Sequence, residues 1–292
     1  MEESMTWPLR HAAGTSLAAV LALSACETST EPLQPSGLES PVLKRASSEC
    51  VSLRGTQVQP TPTYEPYRAL LAQVSALGPL YVTGSAAVPS CALDESGFML
   101  GVMLRHRHDV GKVLRAAGAL TAVFARSESV CDLPYFADLA ETAVCAEPGG
   151  LGGVPGRPAT ACSERNVLKE ADDPFGRGTR ADGENVCVHE LGHTIMNVGL
   201  SDADRDAIRR RFEAVLSEGQ LWTEDAFGNP TFALSNADEF WAEMTQTYFC
   251  ANPAVSSFLH NGINCADQLR TYDPVTFRLI DGIYRHAAAD LS

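Results

Sequence analysis

Basic residues are scarce in this chain, whereas acidic residues are not. The 292 residues include 22 Lys and Arg against 36 Asp and Glu, which gives a formal net charge of −14. A nucleic-acid-binding protein needs a basic surface that displaces counterions from phosphates. The charge balance therefore argues against a nucleic-acid partner. The acidity by itself indicates solubility and no particular ligand.

Long apolar runs are also missing beyond residue 25. A membrane-spanning helix needs about 18 consecutive apolar residues, whereas the apolar run at 97–104 is short and ends at Arg105. The chain contains no internal repeat, which excludes solenoid and propeller architectures. Hydrophobic residues still make up 45% of the sequence, so a sizeable core can form and disorder throughout the chain is excluded.

The N-terminus resembles a bacterial lipoprotein signal. An apolar stretch at 12–25 follows Arg10, and its end, Leu23-Ser24-Ala25-Cys26, is similar to the lipobox, whose cysteine is lipidated. The resemblance implies that residues 1–25 are a signal peptide and that Cys26 anchors an exported protein to the cell envelope. Because residue 27 is not Asp, it further implies the outer membrane or cell surface. The alternative is an ordinary cleaved signal, with Cys26 in a disulfide.

The rest of the chain divides by composition into a tether and one folded domain. Residues 26–49 are rich in Ser, Thr, Pro and Glu, and such a segment cannot bury enough apolar surface to offset the entropy of ordering. We therefore predict a flexible tether at 26–49 and a single domain at 50–292. Its first part contains predicted strands at 80–83 and 120–125 and a short predicted helix at 67–77. One or two helices are predicted over 96–117, and a mobile Gly/Pro loop bordering a cleft is predicted at 148–158.

Helix signals dominate the second part of this domain. Each predicted helix begins after a capping residue or ends at a glycine. The predicted helices are 184–198 before Gly199, 202–218 between Ser201 and Gly219, 237–250 after Asn236, and one beginning at Pro274 after Asp273. Few early strands and several late helices predict an α+β fold with a helix-rich C-terminal half.

The strongest chemical signal is His189-Glu190-Leu191-Gly192-His193. Residues i and i+4 lie on one face of a helix, so His189 and His193 can share a metal ion. The side chain of Glu190 is rotated by about 100° around the helix axis from that of His189. It can therefore act as a general base for a metal-bound water. The alternative is a helix with two surface histidines and an ordinary glutamate. Apolar flanking residues oppose it, because buried histidines need partners.

A catalytic zinc site needs a third protein ligand and an open fourth position. Glu239 and Glu243 are four residues apart on the helix that follows Asn236. A capping box formed by Asn236 and Glu239 is the alternative explanation, but it leaves Glu243 unexplained. We therefore predict Glu239 as the third ligand of one Zn²⁺ ion.

The combination of His-Glu-x-x-His with the downstream segment Asn-Ala-Asp-Glu-Phe-Trp-Ala-Glu (236–243) is similar to the zincin metallopeptidases that use a glutamate ligand. Among these it resembles the catalytic domains of anthrax lethal factor and the Pro-Pro endopeptidases. The resemblance spans about 184–250 and implies a zincin-like domain. It also implies roles for particular residues: zinc ligation by His189, His193 and Glu239, base catalysis by Glu190, and orientation of a ligand histidine by Glu243.

One residue departs from the family pattern. The family places a tyrosine seven residues before the glutamate ligand, where its hydroxyl stabilises the oxyanion, and this chain has Phe232 there. Loss of one oxyanion donor typically lowers the rate by about 10²–10³. Candidate replacements that could contact the substrate or oxyanion are Tyr248 and His260, followed by Tyr272 and Tyr284.

Eight cysteines remain when Cys26 is assigned to the lipid anchor: 50, 91, 131, 145, 162, 187, 250 and 265. In an exported protein they can form up to four disulfides, of which Cys250–Cys265 is the simplest to predict. Cys187 lies two residues before His189 and could instead be a fourth zinc ligand, which would make the site structural. A disulfide is the favoured interpretation, and it leaves the metal an open position.

These residues predict a zinc-dependent metallopeptidase that hydrolyses peptide bonds outside the cytoplasm through a zinc-bound water activated by Glu190. Its partner is a peptide or protein substrate, and it contacts the membrane only through its lipid. One alternative is a weak or inactive zinc-site lipoprotein that binds a partner at the envelope. Another is a zinc hydrolase of non-peptide amides or esters. The sequence makes no prediction of the oligomeric state.

Overall fold

The computed structural model describes residues 65–66, 80–85, 87–140, 142, 145, 149–170, 172–174, 183–257 and 259–291. All of them belong to one compact unit. The predicted signal peptide, Cys26, the tether and the helix predicted at 67–77 lie outside the described residues. Within the described part, no helix is both long and apolar enough to cross a membrane.

A five-stranded mixed sheet forms one layer of the domain. Its strands are β1 (Glu65–Pro66), β2 (Tyr81–Gly84), β3 (Leu120–Phe124), β4 (Gly150–Leu151) and β5 (Ala159–Ser163). They lie in the order β1-β2-β3-β5-β4. The central strands β2, β3 and β5 are parallel, and each outer strand is antiparallel to its neighbour. The strands predicted at 80–83 and 120–125 are confirmed to within one residue.

Helices dominate the chain from residue 186 onward, as predicted. The α-helices are α1 (Ser90–Leu104), α2 (His108–Ala116), α3 (Glu164–Val167), α4 (Val186–Thr194), α5 (Asp202–Glu218), α6 (Ala237–Tyr248), α7 (Ala266–Tyr272) and α8 (Pro274–Tyr284). A short antiparallel hairpin, β6 (Ser256–Ser257) and β7 (His260–Asn261), lies between α6 and α7. The described residues thus form a mixed α/β structure that agrees with the α+β class.

Side-chain caps start three of the late helices where the sequence predicts them. The Ser201 hydroxyl accepts a hydrogen bond from the Asp204 backbone N–H, and Asn236 accepts from the first turn of α6. Asp273 accepts from the backbone N–H of Thr276 at the start of α8. These bonds satisfy N–H groups that have no partner within the helix. The ends of α4 and α6 differ by a few residues from those predicted.

The segment predicted to form one or two helices over 96–117 begins earlier than predicted and forms two helices. Helix α1 begins at Ser90, and α2 begins at His108. Ser96 is buried within α1, where its hydroxyl donates to the carbonyl oxygen of Ala92 at 2.8 Å. A serine with this local bond can lie inside a helix instead of capping one.

The helix predicted over 184–198 is no longer a regular α-helix in its last residues. Regular α-helix ends at Thr194, and Ile195–Gly199 forms a π-helical turn. A Cβ at Gly199 would lie 2.6 Å from Cγ1 of Val110 in α2. The glycine therefore allows α2 to pack directly against this turn.

The Gly/Pro segment at 148–158, predicted to be a mobile loop, contains the edge strand β4 and an isolated bridge between Val154 and Arg157. The loop prediction is wrong only at Gly150–Leu151, where pairing with β5 overrides the low strand propensity of glycine. The pairing register places Gly150 opposite Cys162 and Leu151 opposite Ala161.

The main hydrophobic core lies between the sheet and the late helices. Helix α4 packs against both β5 and α6, so one side of it is buried by the sheet and another by α6. Val188 and Leu191 of α4 are almost fully buried in this core. A second apolar cluster, which includes Phe124 and Phe136, involves other residues of β3 and β5. The central position of α4 fixes the part of the chain that carries the histidine motif.

Candidate metal centre

Helix α4 presents its two histidines side by side. The Nε2 atoms of His189 and His193 are 3.0 Å apart. The helix is held at its N-terminus by Asn185, whose side chain accepts a hydrogen bond from the Val188 backbone N–H. One helical turn separates the two histidines, so both rings point to the same side.

Helix α6 brings a carboxylate to these two rings. Oε2 of Glu239 lies 3.0 Å from Nε2 of His189 and 3.2 Å from Nε2 of His193. The helices cross closely because residue 192 is glycine: a Cβ there would lie 3.2 Å from Cβ of Thr245. At the same crossing, Nε1 of Trp241 donates a hydrogen bond to the carbonyl oxygen of Gly192 at 2.9 Å.

These three donor atoms fit a zinc ion. Zinc bonds of 2.0–2.1 Å in a tetrahedral site place neighbouring ligand atoms about 3.3 Å apart. The separations among the two imidazole nitrogens and the carboxylate oxygen are 3.0–3.2 Å. Two neutral imidazoles and one carboxylate are also a donor set typical of zinc sites with an open position. One metal ion could therefore be held by His189, His193 and Glu239, which we call the metal cluster.

The electrostatics of the cluster favour a positive charge between its members. Burial alone would lower the pKa of His189, but its contacts with Glu239 and Glu243 and the charges of Glu239 and Glu190 raise it well above 6.5. Burial alone would raise the pKa of Glu239, but hydrogen bonds to His189 and His193 lower it well below 4.5. The carboxylate is therefore ionised and stabilises either a proton or a metal cation on the imidazole side.

Glu190 lies on α4 beside the edge strand β4. Desolvation raises its pKa above the ordinary 4.5, although the charges of His189 and His193 act in the opposite direction. A raised pKa makes a carboxylate a better proton acceptor. Its electrostatic environment therefore suits a general base.

Strand β4 and the two glycines that follow it are in direct contact with the histidine helix. A Cβ on Gly152 would lie 2.4 Å from Cβ of His193, and one on Gly150 would lie 2.8 Å from Cγ of Glu190. The backbone N–H of Gly153 donates to the Thr194 hydroxyl at 2.7 Å. Since β4 is the outermost strand of the described sheet, this contact places the edge of the sheet next to Glu190 and His193.

The side of His189 away from the cluster contacts two side chains of α6. Its Nδ1 lies 2.8 Å from Oε1 of Gln246 and 3.5 Å from Oε1 of Glu243. The family resemblance implied that Glu243 orients a ligand histidine, whereas in the structure Gln246 makes the closer contact with His189. Gln246 was missed, although it lies two helical turns after Glu239 and therefore on the same face of α6.

His260 lies behind His189 and not beside the converging donor atoms. Its Nε2 is 3.3 Å from Oε2 of Glu184, and its Nδ1 is 3.3 Å from Oε2 of Glu243. Burial alone would lower its pKa, but the charges of Glu243 and Glu184 raise it to about 10. These three residues lie close enough to surround a cation. However, the ring turns a different nitrogen to each carboxylate, which fits an imidazolium between two glutamates.

The tyrosines suggested as oxyanion donors have other partners. Tyr248 is fully buried, and its hydroxyl donates to Oδ1 of Asp281 at 2.6 Å. The hydroxyl of Tyr272 accepts from the Trp222 backbone N–H, and Tyr284 is a buried core residue. The structure therefore does not bring Tyr248 to the cluster, and the prediction that Tyr248 or His260 contacts the substrate gains no support from their positions.

Phe232 does lie near the cluster, in a 3₁₀ turn (Phe232–Leu234) just before α6. Its ring centroid is 6.2 Å from that of His189. Its backbone N–H donates to the carbonyl oxygen of Leu259 at 2.9 Å, which joins this turn to the β6–β7 hairpin. The position at which the resembled family has a hydroxyl is thus occupied here by an apolar ring.

Three pairs of described cysteines form disulfides: Cys131–Cys145, Cys162–Cys187 and Cys250–Cys265. The predicted Cys250–Cys265 pair is confirmed. Cys187 is bonded to Cys162, so it is not a thiolate ligand and the cluster keeps three protein donors. Disulfides of this kind persist in oxidising compartments outside the cytosol.

The sequence matches no protein-family model, and no curated protein matches it. The likeness to zincins therefore rests on the residues of the two helical segments. The structure brings four of those residues to one place, namely His189, His193, Glu239 and, beside them, Glu190. Glu243 is adjacent to His189 but at a greater distance than Gln246.

Proposed function

We propose that this protein is a zinc-dependent metallopeptidase with a zincin-like domain. The observation that carries the proposal is the convergence of His189, His193 and Glu239 within 3.2 Å of one another, with Glu190 on the same helix. Structural zinc sites have four protein ligands, whereas catalytic sites have three and an open position. The disulfide of Cys187 supports the second arrangement.

The chemistry divides between the metal and the chain. Zinc, when bound, polarises a carbonyl group and makes water more acidic. Glu190 accepts a proton from the attacking water at its carboxylate and passes it to the leaving amine. Its raised pKa suits both transfers. Strand β4 and the buried face of α4 keep bulk water away from one side of this carboxylate.

The edge strand β4 favours a peptide over a small amide or ester. An exposed strand edge can pair with an extended peptide through backbone hydrogen bonds. Here that edge lies against Glu190 and His193. A small ester or amide cannot form such a row of bonds, so the geometry offers it less binding energy.

The proposed location is the bacterial cell envelope, with the protein exported and anchored through a lipid on Cys26. The lipobox-like segment at 23–26 and the disulfides among the described cysteines support this location. The lipid is the proposed membrane contact, and an extracytoplasmic peptide or protein is the proposed substrate.

A second candidate function is a weak or inactive zinc-site protein that binds a partner at the envelope. The observation that favours it is Phe232, whose apolar ring lies 6.2 Å from that of His189. The four residues suggested as replacement donors are engaged elsewhere. Without a donor for the oxyanion, hydrolysis would be slower by about 10²–10³.

The first test compares the wild-type protein with Glu190→Gln. We expect both to bind one zinc ion, while Glu190→Gln cleaves peptides about 10²–10⁴-fold more slowly because the general base is lost. Zinc content and cleavage of a diverse peptide library would be measured on the purified proteins. Glu213→Gln, on the exposed side of α5, is the matched control and should cleave like wild type. Absence of stoichiometric zinc from the wild type would overturn both candidate functions.

The second test restores the missing hydroxyl with Phe232→Tyr. We expect peptide cleavage to rise tenfold or more if this ring faces the oxyanion, because one donor contributes about 10²–10³ in rate. Bound zinc with equally negligible cleavage by wild type, Glu190→Gln and Phe232→Tyr would instead favour the partner-binding protein.

A further inference from the structure

A closed group of polar side chains surrounds the Nδ1 side of His189. It consists of Gln246, Glu184, His260 and Glu243, and each member contacts the next. Gln246 Nε2 lies 3.4 Å from Glu184 Oε2, which lies 3.3 Å from His260 Nε2. Nδ1 of His260 lies 3.3 Å from Glu243 Oε2. Both α6 members face His189, so one of them is in a position to orient its ring.

The hydrogen bonds of Gln246 define which way its amide points. Nε2 lies 3.1 Å from the backbone carbonyl oxygen of Asn185, which can only accept a hydrogen bond. The NH₂ group must therefore face Asn185 and Glu184, and the oxygen Oε1 must face His189. Gln246 is fully buried, so water does not offer its amide an alternative partner.

This orientation determines the tautomer of His189. Oε1 of Gln246 lies 2.8 Å from Nδ1 and is only an acceptor, so Nδ1 must carry the hydrogen. A neutral imidazole with its hydrogen on Nδ1 has its lone pair on Nε2. Nε2 is the atom that converges with His193 and Glu239. The amide thus presents His189 in the form that a metal ion requires.

Glu243 is less suited to this role. Its Oε1 is 3.5 Å from Nδ1 of His189 and has no hydrogen-bond partner among the described residues. Its Oε2 contacts His260 and accepts a hydrogen bond from the Asn252 amide at 3.2 Å. Oε2 is therefore held towards His260 and Asn252, and Oε1 stays farther from Nδ1 of His189 than the Gln246 oxygen does.

We propose that Gln246 is the positioning residue for His189 in the zinc site, and that Glu243 is held by His260 for a structural role. This inference deepens the proposed function and rests on its zinc site. A hydrogen-bond acceptor on the far nitrogen of a ligand histidine fixes the ring, and its loss typically weakens metal binding by about 10–100-fold. The acceptor here is a neutral amide, so the histidine remains neutral when it binds the metal.

The test measures zinc affinity of the full chain by competition with a chelator. We expect Gln246→Met to raise the zinc Kd about 10–100-fold, because methionine has a similar length but lacks the acceptor. Glu243→Gln should change the Kd less than threefold. Gln268→Met is the matched control, since the Gln268 amide oxygen accepts a hydrogen bond from the Asn264 backbone N–H outside the cluster.

Nitrogen-15 NMR of the zinc-loaded wild type supplies a readout that needs no folded variant. We expect the hydrogen of His189 on Nδ1, in slow exchange with water, and the metal on Nε2. In Gln246→Met the Nδ1 hydrogen of His189 should exchange with water faster than in wild type. A second variant that is destabilised to the same degree at another position should not show this faster exchange.

Three results would overturn the inference. The first is a zinc Kd for Gln246→Met within threefold of wild type, and the second is a tenfold or larger rise of the zinc Kd in Glu243→Gln. The third is a metal bound to Nδ1 of His189. A wild-type protein that binds no zinc overturns the proposed function together with this inference. Zinc binding that is normal in both wild type and Gln246→Met overturns the inference alone, so the two failures are distinguishable.

Discussion

His260 is one residue whose protonation links three separate parts of the chain. It lies in the β6–β7 hairpin and pairs with Glu184, which precedes α4, and with Glu243 in α6. The same imidazolium, together with His189, lowers the pKa of Glu243 to about 2, against the effect of burial. At neutral pH the charged His260 therefore connects the β6–β7 hairpin to Glu243 in α6 and to Glu184 just before α4.

The stability contributed by His260 depends on pH. Its folded pKa of about 10 lies above the ordinary 6.5, so its contribution is complete below pH 6.5 and is lost as pH rises towards 10. We expect the free energy of unfolding to fall between pH 7 and 10, and to fall less in His260→Gln. Urea denaturation across this range, with a chelator present, would measure both.

The control for that experiment is His286→Gln. His286 is exposed and pairs with Asp281, away from the cluster, so its variant should follow the wild-type pH dependence. Equal pH dependence in wild type and His260→Gln would contradict the prediction.

At the scale of secondary-structure elements, the contact between β4 and α4 depends on missing side chains. A Cβ at Gly152 would lie 2.4 Å from the Cβ of His193, far inside van der Waals contact. We expect Gly152→Ala to lower the free energy of unfolding by about 1–3 kcal/mol, because either the strand or the helix must move. Chemical denaturation would measure the change.

Gly282 provides the matched control for this substitution. It lies within α8, and a Cβ there meets no atom within 4 Å. Gly282→Ala should raise the free energy of unfolding by about 0.5–1 kcal/mol, because alanine favours the helix. Equal stability changes in the two alanine variants would show that the β4–α4 contact is looser than the structure indicates.

The elements that could be predicted are those whose signals are local. Ser201, Asn236 and Asp273 cap helices through bonds to neighbouring residues, and the i, i+4 spacing placed both metal-binding motifs on helices. Strand β4 could not be predicted, because glycine opposes strand formation and only pairing with β5 produces it. The role of Gln246 was missed for a similar reason, since it depends on how α6 crosses α4.

At the scale of the whole molecule, the Cys162–Cys187 disulfide joins the sheet to α4, the helix that carries His189 and His193. The two cysteines are 25 residues apart in sequence and connect β5 with α4. Replacing both with alanine should lower the free energy of unfolding by about 2–4 kcal/mol, since the unfolded chain is no longer cross-linked. We nevertheless expect the folded double variant to retain one zinc ion.

Denaturation and zinc content of this double variant would be measured beside the Cys131→Ala, Cys145→Ala double variant. The latter pair lies away from the metal helix and closes a loop with a sequence separation of 14. Loss of zinc from a folded protein without the Cys162–Cys187 pair would contradict the expected outcome and show that zinc binding depends on this disulfide or on Cys187 itself.

The disulfides show how far long-range structure could be predicted from the sequence. Eight cysteines allow 105 pairings, and only Cys250–Cys265, which closes a short loop, was predictable. Cys162–Cys187 follows from the packing of β5 on α4, which depends on the whole core. The signal peptide, the tether and the domain boundary at residue 50 remain predictions.

The close approach of β4 to α4 also limits how this protein can change during evolution. Gly150 and Gly152 have no space for a side chain, whereas Leu151 between them packs against the second apolar cluster. A related chain that keeps this contact must keep both glycines, even where the rest of its sequence has diverged. Glycine at alternate positions upstream of a His-Glu-x-x-His helix is thus a pattern by which distant relatives could be recognised.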